Sequence, residues 1–153
     1  MANSASSARR APVPVERCGA ARALDVIGDR WTLLILREAF YGVTRFDDMR
    51  ADMGIPRSVL TQRLARLVEH GLLTRVPYRD EGARARSGYA LTAQGRALAP
   101  VILALMRWGD AHLAPDGPAL AVTDRAGRPL KVALVAGDTP EVALRDVVLT
   151  PLV

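Results

Sequence analysis

Between Pro56 and His70 the residue types sort by helical spacing. Leu60, Leu64 and Leu67 recur at three- and four-residue intervals, so they share one face of a helix. Ser58, Thr61, Gln62, Ala65 and Arg66 fall outside that face, and Arg57 and Arg63 flank the leucine stripe. The outward surface is small and polar near the helix start. A helix entering the major groove of duplex DNA needs this combination: no bulk, and hydrogen-bonding groups at its N-terminal end. Gln pairs with adenine edges, and Arg pairs with guanine or clamps phosphate. An ordinary solvated helix face has the same polarity, so the stretch alone leaves both readings open.

A second group of cations follows. Arg75, Arg79, Arg84 and Arg86 gather around Asp80, Glu81 and Gly82. A loop carrying arginines can lie along the phosphate backbone or enter a narrow minor groove. A solvated loop is the plainer reading, but a polar helix followed by a cationic hairpin favours DNA. Other chemistry is poorly represented. His70 and His112 are the only histidines, and neither stands at metal-ligand spacing from a cysteine or carboxylate. There is no glycine-rich phosphate loop and no nucleophile elbow. The expectation is a binding protein, not an enzyme, with no metal or cofactor. Cys18 is the single cysteine, so no intrachain disulfide forms, which suits a reducing cytosol. A thiol near a helix start, with Arg17 and Arg22 close in sequence, belongs to the more reactive kind. A small buried residue at a helix entry is the alternative.

These residues need elements to hold them. Gly28, Gly42, Gly54 and Gly71 each follow a segment of helical apolar spacing, as expected of helix ends in a left-handed conformation. The first helix is expected over roughly Ala20–Ile27, with Leu24 and Ile27 facing inward. The second covers Arg30–Tyr41, with Trp31, Leu34 and Ile35 on one face. The third begins at Thr44, whose hydroxyl would cap it, and buries Phe46 and Met49. The fourth runs from Pro56, which suits a helix start, to His70. Alternation over Leu72–Tyr78 then predicts a strand, an edge because of Pro77, with a short return strand at Tyr89–Thr92. Thr92 would cap a long helix, Ala93–Leu113, carrying Leu98, Val101, Ile102, Leu105 and Met106. That apolar surface is wide for a lone helix and points to a second subunit. The order of helices, hairpin and long helix predicts a mainly α fold with a small β wing. It is a winged helix-turn-helix with a C-terminal dimerisation helix.

Charge and composition agree. Half of the 153 residues are hydrophobic, enough for a packed core, and the formal net charge is +5. The segment from Pro115 onward holds four basic and five acidic residues, so the excess of positive charge lies in the first 114 residues. No apolar run reaches membrane-spanning length. Residues 1–15 are rich in Ala, Ser, Arg and Pro and read as a disordered arm, without a secretory leader. Residues 16–114 form the main domain and 115–153 a small β-rich extension. Within the extension Ala119–Thr123 and Pro129–Val135 are expected to pair around Ala126-Gly127, and Val147–Leu149 to add a strand.

Several blocks then carry a family resemblance. They are ARALDVIGDRW at Ala21–Trp31 continuing TLLILREAFYG, RFDDM at Arg45–Met49, and VLTQRLARLVEHGLL at Val59–Leu73. YALTAQGRAL at Tyr89–Leu98 and RWGDAHL at Arg107–Leu113 follow. In order and spacing, residues 16–114 resemble the HxlR family of winged-helix regulators, within the MarR-like superfamily. The resemblance implies a dimeric regulator, often a repressor, whose second helix-turn-helix element reads the major groove of a palindromic promoter site. It implies that the first and last helices form the dimer interface, with Leu24, Val101, Ile102, Leu105, Met106 and Trp108 as candidates. The DNA candidates are Arg57, Ser58, Thr61, Gln62, Arg63, Arg66, Arg79, Arg84 and Arg86. Cys18 falls where the family commonly carries a cysteine that senses oxidants or electrophiles in some members. With one cysteine, sensing takes the form of a mixed disulfide, an adduct or a bridge between subunits. A small-molecule effector is the other expected signal, and a cytoplasmic, nucleoid-associated location follows. Three departures stand out. Gly19 replaces the family's proline after the cysteine, Pro56-Arg57 replaces Ser-Pro at the recognition-helix start, and the wing tip EGARARSG at Glu81–Gly88 is unusual. The rival class is a winged helix serving only protein–protein contact, separable by the salt dependence of duplex binding.

Overall fold

The computed structural model describes residues 14–78, 86–134 and 146–151; Arg86, Val147, Leu149 and Pro151 are described by their backbones alone. The expected arm at 1–15 therefore lies outside the described residues except at its end, where Val15–Arg17 makes one 3-10 turn. Helix α1, Gly19–Ile27, follows, with Cys18 at its N-cap. Helix α2, Arg30–Phe40, is capped by Asp29, whose carboxylate accepts the Thr32 amide at 3.1 Å. Helices α3, Phe46–Met53, and α4, Arg57–Glu69, form the helix-turn-helix. Gly54, at φ +62°, makes the turn between them in a left-handed conformation that a side chain would strain.

Strands β1, Leu73–Tyr78, and β2, Arg86–Leu91, pair antiparallel from Leu73 opposite Leu91 to Tyr78 opposite Arg86. The Tyr89 amide also donates to the Thr44 carbonyl at 2.8 Å, tying the wing to the α2–α3 loop. Helix α2 is the hub, packing against α3, α4, β2 and α6. Its Ile35 and Leu36 are fully buried with Met49, Leu60, Leu64, Leu67 and Leu73, and Ile55, Leu72 and Ile102 complete the core. Each such side chain contributes about 1.5–3 kcal/mol by leaving water.

The structure corrects several expectations. Thr44 does not cap α3; its carbonyl serves the wing instead, and α3 starts at Phe46 without a side-chain cap. Gly28 is not left-handed, with φ at −74°. It is needed for close approach, because a Cβ there would strike the Leu24 carbonyl. Leu24 does not face inward but is 61% exposed, and Leu36 rather than Leu34 joins Ile35 in the core. The long helix is broken: Thr92 caps a one-turn helix α5, Ala93–Arg96, and α6 restarts at Ala99–Leu113 with Pro100 in its first turn. Proline lacks the amide that would continue the earlier helix, so the chain bends there. Ile102 belongs to the core of the single chain, at 3% exposure, and so does not fit the expected interface role.

In the extension, β3, Leu120–Asp124, pairs along its length with β4, Val147–Pro151, antiparallel; the segment expected at 129–135 forms no named strand among the described residues, and its end at Val135 lies outside them. The expected turn does form. Asp124 accepts the Ala126 and Arg128 amides, each at 2.9 Å, and Leu130 donates to Val122. Among the described residues, pairing after that turn is a bridge between Thr123 and Pro129.

Candidate nucleic-acid interface

The leucine stripe of α4 is buried as a unit, and this decides what the helix shows to solvent. Leu60, Leu64 and Leu67 are at most 1% exposed. Arg57, Ser58, Thr61 and Gln62 are exposed together over the first one and a half turns. The Thr61 hydroxyl donates back to the Arg57 carbonyl at 2.9 Å, which orients its oxygen lone pairs outward. The Arg57 guanidinium lies 5.1 Å from the Phe46 ring and 3.9 Å from Asp47, with both charged groups largely in water. Such an exposed pair is weak, worth about 0–1 kcal/mol, and yields readily to a phosphate.

Two expected members of this face are elsewhere. Arg63 Nε donates to Asp29 at 3.0 Å, and the Arg66 guanidinium donates to the Asp25 carbonyl. Asp29 also accepts the Thr32 amide and, at 2.5 Å, its hydroxyl. Burial works against the Asp29 charge, but the Thr32 hydrogen bonds and the Arg63 cation outweigh it and lower its pKa below 3.8. Asp29 escaped the sequence reading. Its signal was an aspartate immediately before an apolar-periodic segment with threonine three residues on, a cap pattern.

On the wing, Arg75 is exposed, and the Arg45 guanidinium lies 4.7 Å from the Tyr78 ring at the loop end of β1. Arg79 and Arg84 lie outside the described residues, and Arg86 is placed only as a strand position. An open cleft of about 510 Å³ lies between Tyr41–Arg45 and α3, with Asp48 and Asp52 on its wall. Cys18 is half-buried at the start of α1, with its carbonyl accepting the Arg22 amide at 3.2 Å. Among the described residues no cluster of His, Cys, Asp or Glu is arranged to hold a metal ion. None of the described helices is long and apolar enough to cross a membrane.

A helix-turn-helix closed by a two-stranded hairpin, with a polar-faced second helix, defines a winged helix-turn-helix protein. The chain belongs to the HxlR-like helix-turn-helix family, whose model matches residues 26–117. It is 53% identical over 98 residues to Rv3095 of Mycobacterium tuberculosis, an HTH-type transcriptional regulator. That match covers 63% of this chain and 61% of the relative, so the chain spans under two thirds of that relative's length. The crystal structure of PA1607, a candidate transcription factor, matches with 40% identity and a TM-score of 0.69. It covers 85% of this chain and 92% of PA1607, so the likeness reaches into the C-terminal extension. The redox regulator HypR in its oxidised form matches with 30% identity and a TM-score of 0.56, over 62% of this chain and 97% of HypR.

Proposed function

We propose that this chain is a transcription regulator that binds a palindromic promoter site as a homodimer and represses by excluding polymerase. One observation carries the reading: α4 buries its whole leucine stripe and thereby presents Arg57, Ser58, Thr61 and Gln62 as one exposed face. Small hydrogen-bonding groups at the start of the second helix suit base-edge readout, with Arg57 at the phosphates. Arg75 and the wing positions Arg79, Arg84 and Arg86 supply cations for the flanking backbone.

The dimer rests on a second surface. Leu24, Val101, Leu105 and Trp108 are each about half exposed or more. On α6 the spacing 101, 105, 108 keeps one face, and Trp108 packs on His112 with ring centroids 5.3 Å apart. Met106 lies at the edge of this stripe, half-buried, its sulfur 3.9 Å from the Tyr41 hydroxyl. A homodimer joined there would set two α4 helices about one DNA turn apart, roughly 34 Å. A signal that alters this spacing switches affinity. Thiol modification of Cys18, at the start of the helix carrying Leu24, fits that role, and the likeness to a redox regulator supports it.

The test is a footprinting titration over a salt series on the duplex upstream of the protein's own coding region. A symmetric footprint whose affinity falls steeply with salt is expected, because phosphate contacts release counterions. Absence of any sequence-specific footprint would sink the reading. Diamide should abolish the footprint of the wild type and leave that of Cys18→Ser intact; equal sensitivity of both would remove the redox switch.

A further inference from the structure

Arg63 and Arg66 stand one helical turn apart on α4, and both reach away from its polar face. They meet the corner between α1 and α2 at two points. Arg63 Nε donates to the Asp29 carboxylate at 3.0 Å, with both side chains at most one third exposed. Arg66 donates to the carbonyl of Asp25, in the last turn of α1. A leucine stripe packs a helix without direction, because apolar contact tolerates small rotations and slides. Two polar tethers at fixed points do not. They set the rotation of α4 about its own axis, and hence where Ser58, Thr61 and Gln62 point.

We propose that Arg63 and Arg66 are positioning residues that aim the recognition helix, not residues that touch DNA. The proposal rests on the DNA-binding reading above and deepens it. Asp29 is well suited as the anchor. It is held by the Thr32 amide and hydroxyl as well as by Arg63, so its oxygens cannot swing to follow a moving helix. A guanidinium engaged with an ionised, oriented carboxylate is among the stronger hydrogen-bonded arrangements, so a phosphate would have to compete with Asp29 for it. The tethers also join α4 to the helix that begins at Cys18 and carries Leu24. Motion of α1 therefore reaches α4 through Asp25 and Arg66.

The decisive variant is Asp29→Asn, compared with Arg63→Ala and the double variant, in the salt-series titration on the footprinted duplex and on a random duplex. Asparagine keeps the Oδ1 cap on the Thr32 amide, so the fold is retained, and it strips the negative charge from the oxygen that also holds Arg63 Nε. If Arg63 contacted DNA, Asp29→Asn would loosen its charge-assisted tether and remove a repelling charge, and binding would tighten. Arg63→Ala would then weaken both duplexes alike and reduce the salt slope by about 0.9. The tether predicts the opposite sign. Asp29→Asn and Arg63→Ala should each weaken the specific site by about tenfold, with random-duplex affinity and salt slope unchanged. The double variant should be no weaker than either single one. Tighter binding by Asp29→Asn, or a reduced slope in Arg63→Ala, overturns the proposal while the DNA reading stands. A wild-type chain that leaves no footprint overturns both.

Discussion

Asp29 shows how one residue serves two levels of this molecule. Its oxygens cap α2 through Thr32 and hold Arg63 on α4. Its pKa is lowered because the two hydrogen bonds from Thr32 and the Arg63 charge outweigh the penalty of burial. The sign of the pH effect follows. A carboxylate with a depressed folded-state pKa adds stability above its ordinary value of 3.8, and that stability is lost as pH falls through the lower value. Thermal denaturation of the wild type should therefore steepen its decline below about pH 4. Asp29→Asn should start less stable at neutral pH and decline less there. Asp124 adds to the same acid sensitivity, held low chiefly by the Arg128 amide and guanidinium, so a residual slope in Asp29→Asn is expected.

At the level of elements, the joint between β1, β2 and α5 is the most constrained. The Leu72 carbonyl accepts the Thr92 amide at 3.1 Å, and the Thr92 hydroxyl donates to the Gly71 carbonyl at 2.6 Å. The same hydroxyl oxygen accepts the Gly95 amide at 3.0 Å. Gly95 sits so close to Leu72 that an added Cβ would collide with its carbonyl, and Leu91 Cδ2 would lie 3.1 Å away. Since the obstacle is backbone already committed to hydrogen bonds, it cannot give way. Gly95→Ala is expected to cost about 1–3 kcal/mol despite alanine's better helix propensity. A melting temperature lowered by roughly 5–10 °C would show it. An unchanged melt would mean that α5 shifts freely and that this joint does not fix the wing.

At the scale of the whole molecule, the described surface carries two faces with opposite character. One is the polar start of α4; the other is the apolar line through Leu24, Val101, Leu105 and Trp108. Leu105→Glu leaves the core untouched, because Leu105 is half exposed in the single chain. It should place a charge in the proposed interface and convert a dimer to a monomer in sedimentation at micromolar concentration. DNA affinity should fall with it, since both half-sites must be held at once. A Leu105→Glu chain that sediments like the wild type would show that this face is not the dimer contact.

Periodicity in the sequence is a sound guide wherever one chain segment decides its own burial. The stripe Leu60, Leu64, Leu67 is buried as its spacing requires, and the alternation at Leu73–Tyr78 is a strand. The order helix, helix, hairpin, helix follows from such local patterns, and so does the family resemblance. Local pattern fails where a residue has two neighbours to choose between. Leu24 and Ile102 have equivalent apolar character, yet packing against α2 draws Ile102 inside and leaves Leu24 out. Arg63 and Arg66 share a helix with Ser58 and Gln62, but their long side chains reach back to Asp29 and Asp25, 34 and 41 residues earlier. In the extension, β3 bridges the nearer segment at Thr123 and Pro129 but forms its ladder with the distant β4, since any alternating segment offers the same backbone partners. The sequence by itself determined the elements, their order and the polar face of α4. Only the tertiary structure decided which arginines point outward and which leucines stay exposed, because those choices depend on distances between segments far apart in the chain.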